Sequence, residues 1–508
     1  MKFDFKDLFI FEMANNHQGD IAHGKQIINE CSEISIDNNL KSAVKFQFRQ
    51  LDSFIHPNYI NADEPTHIKR FLSTKLSNEQ FKKLLDHTKS KNLFSICTPF
   101  DEGSIDIIEE MGFDIIKIGS CSATDWPLLE RASLSNLPLI ISTGGLTLDE
   151  IDKIVSFSEH RGLDFALMHC VSLYPTPTNL CELNQIEFMS KRYPNITIGW
   201  STHEDPEDND VIMVAYSKGA RIFEKHVGSL SGEITSLNKY SANKKQISNW
   251  IEKYNKAKLL CGSDIEINRT EEEKTALKSL WRGVYANKNI NEGETIKTSD
   301  TFFAMPFLNG QLFSGNWKND IIAKTDIKTN EPLLIENLKF PKIPDHLILQ
   351  HFIHKIKALI NESRTIIGTE FDLEFSHHAG IKNFLKTGAA LITIVNRDYC
   401  KKIIVQTPGQ VHPNHYHKRK EETYFVLHGE LEVNLNGSIK KLSTGDKLVV
   451  QPMVWHSFTT KTGVIFEELS TTHYNNDSFY QDPKINNMKR LERKTIVKNW
   501  GGYELEDN

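Results

Sequence analysis

The sequence predicts an α/β chain: a parallel (β/α)8 TIM barrel in its first half, then two smaller β-rich domains. Three observations carry this. Up to about residue 258, short apolar bursts alternate with amphipathic segments, the pattern of repeated βα units. Eight such bursts can be counted, the number that closes a barrel. From residue 281 onward the pattern changes to short strands separated by Gly and Asn turns, with no further βα alternation.

The bursts lie at 8–14 (LFIFEMA), 43–48 (AVKFQF), 93–99 (LFSICTP), 114–119 (DIIKIG), 138–143 (PLIIST), 164–170 (DFALMHC), 196–202 (ITIGWST) and 221–227 (RIFEKHV). Between them, 77–91 opens with a Ser followed three residues on by Gln, and 147–158 opens with Thr followed at the same spacing by Glu150. Both are capping boxes that start a helix. A doubly wound open sheet shows the same alternation but carries a Gly-rich phosphate turn after its first strand; here that strand runs into NNHQGD.

A chain of 508 residues needs several cores. Its formal charge of −6 comes from nearly balanced acids and bases, which excludes a basic nucleic-acid face and a polybasic membrane patch. No run reaches the length of a membrane span and the N-terminus lacks a signal-peptide pattern, so a cytoplasmic enzyme of small molecules is expected. The seven cysteines are scattered with no CxxC pair, as reduced, packed thiols would be.

Polar residues collect at the C-terminal ends of the bursts: Lys45, Gln47, Thr98, Lys117, Ser120, Ser142, Ser201, His203 and His226. In a barrel they converge on one mouth. One strand-end Ser or Thr is an ordinary turn former, and one His there can merely cap a strand with a hydrogen bond. Two imidazoles on successive strands, however, can hold one divalent metal. Lys45 and Lys117, inside apolar strands, need anions, because an unpaired buried ammonium costs several kcal/mol. The candidates are Glu12, Glu224 or a ligand carrying phosphate and carboxylate.

In order and spacing, FEMANNHQGD, VKFQ, CTPFD, IKIGS followed by PLLERA, IISTGG, MHCVSLYPTP, IGWSTH and IFEKH resemble the sialic acid synthase family. These enzymes condense phosphoenolpyruvate with an aldose to a 2-keto-3-deoxy sugar acid. The resemblance covers about the first 260 residues. It implies that Lys45, Thr98, Lys117, Ser120, Ser142 and Ser201 hold phosphoenolpyruvate, and that His203 and His226 bind a divalent metal, manganese or else magnesium. It also implies that Glu12 acts on the attacking water or the sugar, with Lys117 and His203 as further catalytic groups, and that Gln47 and Tyr174 line the sugar site. The chemistry is consistent: a metal with open positions polarises the aldehyde, a carboxylate deprotonates water, and lysines stabilise departing phosphate.

Departures from the family cluster on the sugar side. Ser120-Cys121-Ser122 stands where relatives read SGE, Leu237 or Asn238 where they carry an Asp, and Ser172 where an Asn follows the HCT-type motif. An acceptor other than N-acetylmannosamine, such as a variant hexosamine, is therefore expected.

WRGVYANKNINEGETI and AKTDIKTNEPLLIENL resemble the small antifreeze-like (SAF) domain of this family, which leans over a partner's active site and contributes an arginine; a domain-swapped homodimer is implied. Met305 stands where that arginine would lie. The alternative is a linker subdomain. The prolines of LKFPKIPDH mark a boundary, and 347–363 has helical spacing. Expected domains are 1–275 (barrel), 276–343 (antifreeze-like), 344–370 (helical connector) and 371–508.

In the last segment Gly409, His415, His417, Glu422 and Gly429 fit the first cupin motif without a gap, and Gly445 and His456 fit the second, though Pro452 is displaced and Met453 replaces a Gly. Adjacent strands of a small β-barrel then aim three histidines and a carboxylate at one point, a second divalent-metal site. Cupins of this kind include isomerases, epimerases, dioxygenases and binding modules. The leading function is thus phosphoenolpyruvate:aldose condensation to a nonulosonic acid and phosphate. Condensation with a shorter aldose, a cupin-centred isomerase or epimerase with a drifted barrel, and a sugar sensor remain as alternatives.

Overall fold

The computed structural model describes residues 2–60, 66–231, 234–263, 267–368 and 370–500. They form two compact units, 1–268 and 269–508.

The first unit is a closed parallel barrel of eight strands in sequence order: β1 (Leu8–Glu12), β2 (Lys41–Phe48), β3 (Phe94–Pro99), β4 (Ile115–Ile118), β5 (Leu139–Ser142), β6 (Phe165–Cys170), β7 (Ile198–Thr202) and β8 (Ile222–His226). Each strand lies within one of the apolar bursts or overlaps it. Helices cover the outside, and both capping boxes form, Ser77 with Gln80 and Thr147 with Glu150.

Side chains alternate along a strand with period two, and here the alternation separates two cores. Phe9, Phe11, Val44, Phe46, Ile116, Ile118, Trp200 and Phe223 pack in the cluster shared with the helices. Their neighbours Leu8, Ile10, Ala43, Ile96, Ile115, Ile140, Met168 and Ile222 form a separate apolar plug inside the barrel. One step further along the same inward positions come Glu12, Lys45, Thr98, Lys117, Ser142, Ser201 and Glu224. Register sets Glu12 beside Lys45 on one side and His226 on the other, and Ser201 beside Glu224. Gly199 is needed beside the plug, because a Cβ there would meet the Ile222 side chain at 2.7 Å. Between β2 and the helix Asn78–Ser90 the chain makes an excursion that includes the helix Thr66–Ser73.

The second unit begins with helix Glu271–Ser279, followed by short strands between 283 and 339 in a three-stranded and a two-stranded sheet around Val284, Ile290, Ile321 and Leu333. Helix Asp345–Glu362 comes next. Its His351 and His354 are exposed. The remainder is an eleven-stranded sheet with antiparallel pairing, curled as a cupin is. Pairing of Val411–His417 with His456–Thr459 sets His415 directly opposite His456, and His417 lies two residues on, on the same face. Gly429, at φ 80°, abuts Gly463, whose carbonyl oxygen a Cβ would meet at 2.1 Å. Met453, in place of the motif's glycine, takes φ 66°, the left-handed conformation that position requires.

Among the described residues no helix is long and apolar enough to cross a membrane.

Candidate active site

The charged layer opens into a cavity of about 470 Å³ at the C-terminal ends of the strands. All eleven residues expected there line it: Glu12, Lys45, Gln47, Thr98, Lys117, Ser120, Ser142, Tyr174, Ser201, His203 and His226. They come from seven of the eight strands and the loops that follow them, which is how a barrel assembles a site from distant sequence.

Four charged groups sit at its floor. Lys45 pairs with Glu12 and, at 2.8 Å, with Glu224. Lys117 donates to Ser142 Oγ at 2.6 Å and lies 3.4 Å from the second oxygen of Glu224, while Ser201 donates to the first at 3.0 Å. The two carboxylates therefore differ. Burial pushes the Glu12 carboxyl above the usual range despite Lys45. Glu224 is as deeply buried, yet Lys117 and Lys45 together hold it well below. Burial lowers Lys117 and leaves it with weaker compensation than Lys45, which its two carboxylates raise. Thr98 Oγ1 is buried with no partner among the described residues. A purely structural core would not keep so many desolvated charges and an orphaned hydroxyl; a polyanion seated between the lysines would use them.

Beside this floor the His203 and His226 rings lie 5.3 Å apart, with Tyr174 at 4.2 Å from His203 and Tyr240 at 5.1 Å from His226. Burial, then the partner His for His203 and Lys45 for His226, brings both imidazoles down to about 3, so both are neutral and able to ligate. His203 Nδ1 is 3.0 Å from the Val171 carbonyl, which only accepts, so the proton is on Nδ1 and Nε2 carries the lone pair. The donor set fits a divalent ion with open positions.

Cys121 and Ser172 line the cavity, whereas Leu237 and Asn238 do not; from that stretch it is Tyr240 that does. Sequence reasoning also missed Arg49, His67, Arg70, Phe71 and Phe100 on the cavity wall. Arg49 continues the alternation Lys45, Gln47, Arg49 and was legible from it. Arg70, His67 and Phe71 arrive on the excursion helix, and nothing local says that this helix lies at the mouth.

The cupin cluster is as ordered. The ligand nitrogens of His415, His417 and His456 lie within 4.8 Å of one another. Nδ1 of each faces a backbone carbonyl, Pro413 at 3.0 Å, Asp477 at 2.6 Å and Val454 at 3.0 Å, which turns all three Nε2 lone pairs inward. Glu422 oxygens are 3.2 Å from His417 Nε2 and His456 Nε2. The motif gave no sign that Glu422 also pairs with Lys420 and accepts from Tyr424 OH at 2.8 Å, or that Lys420 bridges to Glu468. Burial pushes Glu422 up, but Lys420 and His417 hold it well below the usual range. The triad can hold a metal. The surrounding cavity is only about 40 Å³, space for a few waters but not an aldose.

Against known proteins, a family model described as NeuB matches residues 37–266 and a cupin domain model matches 403–468. A solved structure from Chromobacterium violaceum, assigned to spore coat polysaccharide biosynthesis as protein E, is 42% identical over 66% of this chain and 100% of its own, with a TM-score of 0.63. The chain belongs to the NeuB family. NeuB synthases are phosphoenolpyruvate-condensing transferases, and this protein is an enzyme of that class with a C-terminal cupin domain. Among curated NeuB relatives, N-acetylneuraminate-9-phosphate synthase of Drosophila melanogaster is 35% identical over 43% of this chain and 59% of its own length. N,N'-diacetyllegionaminic acid synthase of Campylobacter jejuni is 26% identical over 63% of this chain and 99% of its own.

Proposed function

We propose that the barrel condenses phosphoenolpyruvate with an aldose and water to give a nonulosonic, 2-keto-3-deoxy sugar acid and inorganic phosphate. The observation that carries this reading is the two-lysine, two-carboxylate floor lying beside two neutral histidines in one cavity of about 470 Å³. Relatives named for neuraminate, legionaminate and pseudaminate products support the nonulosonate class without choosing the acceptor.

In this reading Lys45 and Lys117, with the Thr98, Ser120, Ser142 and Ser201 hydroxyls, hold phosphate and carboxylate of phosphoenolpyruvate. His203 and His226 would hold a divalent ion, which would supply Lewis-acid polarisation of the aldehyde oxygen. Gln47 and Tyr174 orient the open-chain sugar so that the enol carbon reaches its C1. Once the C–C bond forms, the phosphate-bearing carbon is electron-poor and takes up water. Glu12, whose raised proton affinity suits a group that must accept a proton near neutral pH, deprotonates that water. The C–O bond to phosphate then breaks, and Lys117 and Lys45 balance the charge of the leaving phosphate.

The test is a screen of aldoses with phosphoenolpyruvate and manganese, reading phosphate release and the product mass. Lys117→Ala should abolish release and His417→Ala should spare it. Aldose-dependent release that survives Lys117→Ala, or no release with any aldose, would refute the reading.

A further inference from the structure

Above the phosphoenolpyruvate floor, the wall of the same cavity carries two guanidinium groups that no carboxylate among the described residues pairs with. Arg49, just past β2, has its guanidinium carbon 4.0 Å from the Phe71 ring centroid and 3.5 Å from that of Phe100. One Nη donates to Gln47 Oε1 at 3.0 Å, and its Nε is buried with no partner. Arg70, on the helix Thr66–Ser73, lines the same cavity. Among the described residues neither arginine has a carboxylate within ion-pair distance. Burial lowers Arg49 only to about 10, so it remains a cation at neutral pH.

This differs from Lys45 and Lys117, whose charges Glu12 and Glu224 meet. A half-buried guanidinium held between two rings is desolvated and fixed in one plane, which costs free energy unless something presents paired oxygens to its fork. Sugar hydroxyls return only part of that; a phosphate or carboxylate forms charge-assisted, bidentate bonds. The position also suits a second anion. Four residues of extended chain place Arg49 about 13 Å along the strand from Lys45, which leaves space between them for a sugar's carbon chain.

We propose that the acceptor aldose carries an anionic group, a phosphate ester or a carboxylate, at the end remote from its aldehyde, and that Arg49 and Arg70 bind it. The inference rests on the condensation reading above and adds the acceptor's charge class to it. Arg49 supplies a fixed planar fork, and Arg70, from the exposed helix, adds a second guanidinium on the wall of the same cavity.

The experiment compares matched acceptors with phosphoenolpyruvate and manganese: each aldose as the neutral sugar, as its terminal phosphate and as its terminal carboxylate. Phosphate release is followed together with product mass, for the wild type, Arg49→Gln and Arg70→Gln. The best acceptor should be anionic, and whether phosphate or carboxylate is preferred identifies the group. Each variant should raise KM for that acceptor at least tenfold, with KM for phosphoenolpyruvate changed less than twofold. Arg70→Gln, on an exposed helix, gives this readout even if Arg49→Gln fails to fold. A neutral aldose as the best acceptor, or an anionic one whose KM ignores both arginines, overturns the proposal while leaving the condensation reading intact. Phosphoenolpyruvate left unconsumed with every aldose overturns both.

Discussion

Glu12 and Glu224 share one lysine, are equally buried, and end with opposite proton affinities. The difference lies in their second neighbours: Glu224 also faces Lys117 and the Ser201 hydroxyl, whereas Glu12 gains only the Ala14 backbone N–H, at 2.6 Å. A raised carboxyl stays protonated to higher pH, so a reaction that needs ionised Glu12 is lost as pH falls through that raised value. The acid limb of kcat should therefore lie above the ordinary carboxylate range. Glu12→Gln should lower kcat about 10²- to 10⁴-fold, as removal of a general base does, with KM for phosphoenolpyruvate little changed. A pH–rate profile of the two proteins checks this; an unchanged kcat in the glutamine variant would remove Glu12 from the chemistry. At this scale much was readable beforehand. Lys45 and Lys117 stand out as charges in apolar strands, and the His, Ser and Thr positions fall at strand ends. Which carboxylate meets both lysines and which meets only one depends on distances across the barrel that no local pattern encodes.

At the level of elements, the barrel strands were legible because inward positions change from apolar to polar partway along each strand, and the helix starts because two capping boxes satisfy the first-turn N–H groups. The excursion that brings in Arg70 was not legible, since its placement follows from packing and not from any repeat. In the cupin, the motif exposed the three clustered histidines but not the neighbours around them. His378 and His412 touch through their Nε2 atoms at 3.3 Å. Burial brings His378 down to about 3 and, with His378, holds His412 and, with His456, His415 well below the ordinary range. The sign follows: the unfolded chain protonates these groups near pH 6.5 while the folded one does not, so stability is full above that pH and is lost as pH falls below it. For chelator-treated protein, denaturant unfolding between pH 6 and pH 4 should show this loss. His412→Asn should reduce the slope by about 1.4 kcal/mol per pH unit. An unchanged slope would mean that His412 takes up its proton in the folded protein.

Taken whole, the chain joins two histidine-bearing sites of different kinds, of which the cupin triad can hold a metal. The barrel site has two histidines, open space and charged groups suited to a polyanion; the cupin site has three histidines turned inward by backbone carbonyls in a cavity of about 40 Å³. This is why the condensation chemistry is assigned to the barrel. That two such units follow one another was readable from the change in periodicity after residue 280 and from the spacing of His415, His417 and Glu422. The size of the cupin cavity was not, because it depends on how Lys420, Tyr424 and Tyr480 fill the interior. Everything assigned to the barrel requires that the lysine pair and the histidine pair serve one bound substrate. The most direct test is a crystal structure with phosphoenolpyruvate and manganese. The account predicts the phosphate between Lys45 and Lys117, and the ion on His203 and His226 in the same cavity. Phosphoenolpyruvate bound elsewhere, or an ion that ignores both histidines, would contradict it.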